Sequence, residues 1–167
     1  MKKLIGLLLL PFILMACGEE KTGPVAMNFD RDVSQRSGMI ISDAKFAVQI
    51  RGGSDNRVWK FDDIGDAVVW LQAQAWADSP KTEIWVMDYD NGADWLNAKE
   101  AFFVSGYMSP VNYGFAAFSK AKDKSVDFNT MIKLVTKREL SANCEPSRLS
   151  GGYKSQDRSS QMKEGIS

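Results

Sequence analysis

Apolar and polar positions alternate with two different periods along this chain, and the switches between them mark out its elements. Phe46, Val48 and Ile50 alternate with Ala47, Gln49 and Arg51, the period of a half-buried strand. Turn-forming residues fill positions 51–56, and a second strand at 58–61 completes a hairpin. The Asp62-Asp63 pair then stands before Ile64, Val68, Leu71 and Ala75, which share one face of a helix. Aspartate suits that position, because its oxygen accepts an unpaired backbone N–H and its charge suits the helix N-terminus. Asp78-Ser79-Pro80 is the expected stop. Residues 82–89 form an almost continuous apolar run, a strand expected to be covered on both faces.

The same order returns further on. Strands are predicted at 101–104 and 113–118, a helix at 127–135 with Phe128, Ile132 and Val135 on one face, and a short last strand at 137–142. The pattern therefore predicts an α+β domain of two ββαβ units.

The flanks read differently. Lys2 and Lys3 precede an apolar run of eleven residues, 4–14, too short to span a bilayer as a helix. The run closes on Leu14-Met15-Ala16-Cys17, which resembles a bacterial lipobox. Residues 1–16 are thus expected to be a lipoprotein signal peptide. Lipid on Cys17 would tie the chain to a membrane surface in the bacterial envelope, facing the periplasm, without spanning the membrane. Residues 17–32 are polar, carry Gly23-Pro24 and read as a tether. The domain is placed at 33–142, and the Ser- and Gly-rich stretch 143–167 is expected to be a disordered tail.

Composition narrows the chemistry. The full chain has 21 basic and 21 acidic residues; without Lys2 and Lys3 the mature chain keeps 19 and 21. No basic stripe points to nucleic acid. Histidine is absent, which excludes histidine general bases and histidine metal ligands. There are two cysteines, and with Cys17 lipidated, Cys144 is the single free thiol, so no disulfide within the chain is expected.

No serine nucleophile or phosphate-loop motif occurs, and residues 88–94 fail the calcium-loop template, because Gly92 falls one place early and Lys99 stands where a glutamate belongs. No enzymatic role is expected. Methionine remains, since thioethers suit Cu(I). Met87 and Met131 lie in apolar runs and are assigned to packing. Met39 follows the Gly38 turn and Met108 precedes the Ser109-Pro110 turn, so both stand at loop edges where sites are built.

Six ordered stretches carry a resemblance. They are Ser37-Gly38-Met39-Ile40-Ile41-Ser42-Asp43 with the following Ala44 to Ala47, Phe61-Asp62-Asp63-Ile64-Gly65, Val86-Met87-Asp88-Tyr89, Trp95-Leu96-Asn97-Ala98, Ala101-Phe102-Phe103-Val104, and Ser109-Pro110-Val111-Asn112-Tyr113-Gly114 running on to Phe118. Together they resemble the NosL family of copper lipoproteins that accompany nitrous oxide reductase. The resemblance implies paired ββαβ units and a periplasmic carrier that passes Cu(I) to nitrous oxide reductase or another periplasmic copper protein. It also implies a ligand set of a cysteine and a methionine in a Cys-x-Met opening, with a second methionine in a Pro-Met-Gly turn.

In this chain Ser37 stands at the cysteine position, Met39 keeps the first methionine, and Val111 replaces the second. Serine oxygen is a poor Cu(I) ligand and valine offers none. The candidate metal residues are therefore Met39 and Met108, with Ser37 and Val111 occupying the family's ligand positions. Two functional readings follow: copper trafficking through a degraded, weak site, or a metal-free protein-interaction module on the same scaffold.

Overall fold

A computed structural model describes residues 21–144, with side chains described as far as Ser141. The expected signal peptide 1–16, the expected lipidation position Cys17, the Cys144 side chain and residues 145–167 of the expected tail lie outside what is described, while residues 143 and 144 belong to the last helix.

The elements in chain order are β1 (Val48–Gly52), β2 (Arg57–Phe61), α1 (Ile64–Gln72), β3 (Glu83–Met87), β4 (Trp95–Asn97), β5 (Phe102–Ser105), β6 (Phe115–Phe118) and α2 (Phe128–Cys144). The domain is α+β, as the periodicity predicts. β1 lies between β2 and β3 in an antiparallel sheet of order β2-β1-β3-β4, and β5 and β6 pair separately. One core joins Val48, Ile50, Phe61, Ile84 and Val86 of the sheet to Ile64, Val68 and Leu71 of α1. Phe128, Met131 and Val135 of α2 and Phe103 and Phe115 of the small sheet complete it. Met87 and Met131 are buried packing residues, as assigned from the sequence.

The first ββαβ unit, from β1 to β3, matches the predicted order. The second differs at its end: residues 137–142, predicted as a closing strand, continue α2. Lys137, Arg138 and Glu139 favour helix, and no unpaired sheet edge claims the segment. β4 was hidden by the polar residues around its three positions. α1 stops at Gln72, well before Pro80; residues 73–80 are turns that fold Trp76 back over the first hairpin, and Ala75 is exposed. There Trp76 Cζ3 would lie 2.5 Å from a Cβ at Gly52, so only glycine fits.

The larger correction concerns β1 and the segment expected as a tether. All five β1 residues are buried, Gln49 and Arg51 included. Their face is covered by residues 21–29, which lie along β1 as a strap. The Gln49 side-chain amide acts as a substitute strand: its Oε1 accepts from Val25 N and its Nε2 donates to Val25 O, both at 2.8 Å. Arg51 donates to Gly23 O through Nε and Nη2 at 3.1 and 2.9 Å, and to Asn56 O at 3.1 Å. Glu83 accepts from Gly23 N at 2.7 Å. Further along, Met27 and Phe29 pack with Ile41, Ala47 and Met87. Alternating polar residues on a strand signal solvent only when nothing else covers them, and here the chain's own N-terminal segment does.

Arg51 thus fastens three segments at once. Arg51→Met is expected to lower unfolding free energy by about 2–3 kcal/mol, since it removes the guanidinium donors from the half-buried carbonyls of Gly23 and Asn56. Urea denaturation measures the loss, and amide exchange should quicken at 22–26 ahead of the core.

Candidate functional site

Two loops meet at the head of α1. The first, residues 33–40, is pinched by a bridge between Val33 and Ile40. Ser34 N donates to Met39 O at 2.8 Å, and Gly38 takes φ +72°, which glycine adopts without strain. The turn at Gly38 is therefore where the sequence places it, closed by the single Val33–Ile40 bridge. The second loop, residues 106–114, turns at Ser109, whose carbonyl accepts from Asn112 N at 2.9 Å.

Each loop is held by one of two neighbouring aspartates. Asp62 accepts from Ser34 Oγ at 2.8 Å, and Ser37 Oγ stands 3.1 and 3.2 Å from its two carboxylate oxygens. Asp63 is the N-cap of α1 and accepts from Gly65 N at 2.8 Å. Its Oδ2 also accepts from Ser109 Oγ and from Tyr113 N, the latter at 3.2 Å. Ser109 Oγ accepts in turn from Gly114 N at 2.8 Å. One turn further along α1, Asp66 takes an ion pair from Arg36. Arg36 also donates to Tyr113 OH at 3.3 Å and lies 3.6 Å from Glu139, so it ties the two loops to each other and to α2. Gly65 permits this closeness: a Cβ there would sit 2.1 Å from Tyr113 Cγ.

Burial sets the electrostatics. It pushes the Asp63 carboxyl above the usual aspartate range, against the hydrogen bonds from Ser109 and Gly65. It does the same at Asp66, outweighing Arg36; Asp66 Oδ2 is buried with no hydrogen-bond partner among the described residues. Tyr113 is pushed up to about 12 by burial and by its hydrogen bond to Glu139.

The candidate ligands sit around this frame. Met39 follows the Ser37 anchor and is 41% exposed; Met108 adjoins Ser109 and is 92% exposed. The two loops that carry them are thus brought together, with both thioethers at the solvent edge. Ser37 is not poised as a ligand: its hydroxyl is committed to Asp62 and accepts from Met39 N at 3.2 Å. Val111 is partly buried against the main core. Among the described residues, no group of three histidine, cysteine or acidic side chains is placed to hold a metal ion. Residues 88–94, which fail the calcium-loop template, form a turn, with Asp88 Oδ1 accepting from Asp90 N at 3.1 Å. A cavity of about 400 Å3 lies between α1 and α2, against Val68, Leu71, Phe128 and Ile132, and neither loop lines it.

Sequence reasoning found the helix cap and missed the serine–aspartate network. A signal was present: one residue caps a helix, so the second of two adjacent aspartates needed another employment.

The fold defined by these elements is NosL-like. Comparison with solved structures finds the copper chaperone NosL from Shewanella denitrificans at a TM-score of 0.51 and 19% identity, covering 67% of this chain and 88% of that one. At that identity the likeness is one of fold alone. No protein-family model matches the chain, and no curated protein matches it.

The pH dependence of stability follows from the carboxyls. Asp63 and Asp66 have folded pKa values above 3.8, so the native state takes up their protons first and gains stability as pH falls from neutral towards 3.8. Asp32 is lowered by its hydrogen bond to Lys60, so its contribution is present above 3.8 and is lost as pH falls below that value. The urea midpoint is therefore expected to rise from neutral into mild acid and then fall, and Asp66→Asn should flatten the rise. A midpoint that drops steadily from neutral downward would contradict this assignment.

Proposed function

We propose that the protein is a non-enzymatic, envelope-anchored accessory protein that handles Cu(I) weakly through Met39 and Met108. The observation that carries this reading is the fastening of the two methionine-bearing loops to Asp62 and Asp63, side by side at the head of α1, with both thioethers exposed. A NosL-like fold adds support, because the solved neighbour bears the name of a copper chaperone. Two thioethers without a thiolate bind Cu(I) loosely and release it readily, which suits a carrier better than a store. The ion is cargo here. Its recipient would be a periplasmic copper protein such as nitrous oxide reductase, with lipid on Cys17 keeping the carrier at the membrane.

A second reading is a metal-free interaction module on the same scaffold. It is favoured by one specific feature: the hydroxyl at the soft-ligand position has become a structural hydrogen bond to Asp62.

Competition with a chromophoric Cu(I) chelator separates the two. Weak, one-to-one binding is expected, reduced by at least about tenfold in Met39→Ala and in Met108→Ala, a loss of roughly 1.4 kcal/mol or more each. Ser37→Cys should tighten it by at least about tenfold, because a thiolate replaces a hard oxygen. A wild-type chain that takes no copper from the chelator would overturn the carrier reading and leave the metal-free one.

A further inference from the structure

The strap enters the domain at a defined place. Lys21 O accepts from Asn56 Nδ2 at 2.6 Å, and Gly23 is held by Arg51 and Glu83, so the chain arrives beside the β1–β2 turn. Twenty residues precede Lys21, among them the apolar run 4–14 and Cys17. The four residues from Cys17 to Lys21 span at most about 14 Å when fully extended. Whatever fixes that leader to a bilayer therefore holds this turn close to it.

Three tryptophans gather at the same turn. Trp59 and Trp76 stack with ring centroids 4.9 Å apart, and Trp70 lies 5.1 Å from Trp59 and 5.9 Å from Trp76. A Cβ at Gly53, in the turn, would lie 3.3 Å from Trp59 and 3.5 Å from the Trp76 indole nitrogen. All three indoles are partly exposed, and the guanidinium of exposed Arg57 sits 5.8 Å from the Trp59 ring centroid. Clustered, half-exposed indoles beside a cation suit the headgroup layer, where one end of the ring is wet and the other apolar.

We propose that the β1–β2 turn and the Trp59–Trp70–Trp76 cluster form a bilayer-contacting face that orients the domain on the membrane. This rests on the lipid-anchor reading of Cys17. The occupant is a phospholipid surface. Lys21 and Arg57 against Asp55 leave the tip with a net charge of only +1, so the face docks as the second of two signals, with the lipid supplying the first. The orientation has a consequence for the loops. In the β1–β2 ladder Gly52 pairs with Arg57 at the tip and Val48 with Phe61 at the far end, where Asp62 and Asp63 follow. A five-residue ladder is about 13–17 Å long. Met39 and Met108 are then held off the lipid and turned towards the aqueous compartment.

Bromolipid quenching tests this. The mature lipidated protein is reconstituted into phosphatidylethanolamine–phosphatidylglycerol vesicles with and without brominated acyl chains, and co-flotation and tryptophan emission are read together. Quenching is expected, at least halved in the Trp59→Phe/Trp76→Phe double variant and undiminished in Trp95→Phe, since Trp95 pairs with Met87 far from the tip. Arg57→Glu alters only an exposed side chain and keeps the stack; it should also weaken quenching, which covers the case of a double variant that fails to fold. Protein that floats with the vesicles yet is not quenched, or is quenched in both Arg57→Glu and the double variant as strongly as in the wild type, overturns the proposal while leaving the anchor intact. Protein that does not float overturns both.

Discussion

Two adjacent buried carboxylates, Asp62 and Asp63, are the constraint on which the end of the domain that carries the candidate site depends. A buried carboxylate must be supplied with donors or it destabilises the fold. One aspartate at a helix start is satisfied locally by backbone N–H groups. Two in a row cannot both be, because successive side chains diverge. Asp63 takes the cap and reaches one loop; Asp62 turns to the other and draws Ser34 and Ser37 onto it. The position of both loops is thus a consequence of satisfying two charges, and the serines are where they are because hydroxyls can donate from a loop without carrying charge of their own. Asp66 repeats the logic one turn later with Arg36, at the cost of an oxygen with no partner among the described residues.

The opposite face of the sheet obeys a related rule. A central antiparallel strand with a glutamine and an arginine turned away from the main core would ordinarily meet water. Here residues 21–29 cover it, and the side chains of Gln49 and Arg51 pair with strap backbone that has no strand partner. The strap is therefore part of the fold, and it leads from the hairpin turn straight into the loop that carries Ser37 and Met39. Tether, sheet and candidate site are one mechanical line.

Elements whose signal is local were legible in the sequence: the β1–β2 hairpin with its turn residues, the Asp63 cap, the Gly38 turn, and the core faces of α1 and α2. Those decided by distant contacts were not. Gln49 and Arg51 looked solvent-facing because their partners lie in a segment that reads as linker. α1 looked longer because turns 73–80 keep an apolar tryptophan for packing on Gly52. Residues 137–142 could be strand or helix by pattern, and the choice followed from the end of α2 being clamped to Tyr113 and Arg36 through Glu139. At the site, the methionines were legible as loop-edge residues, whereas the network placing them depends on serines, which carry almost no positional signal alone.

The same network bears on positions 37 and 111. A soft donor at position 37 would have to stay free of hydrogen bonds to meet an ion; the serine there is committed to Asp62 and to Met39 N. Its hydroxyl stiffens the turn that presents Met39. Val111 adds apolar contact with the main core on the second loop. With Ser37 bonded to Asp62 and Ser109 to Asp63, what the two buried aspartates supply is a fixed backbone for both loops.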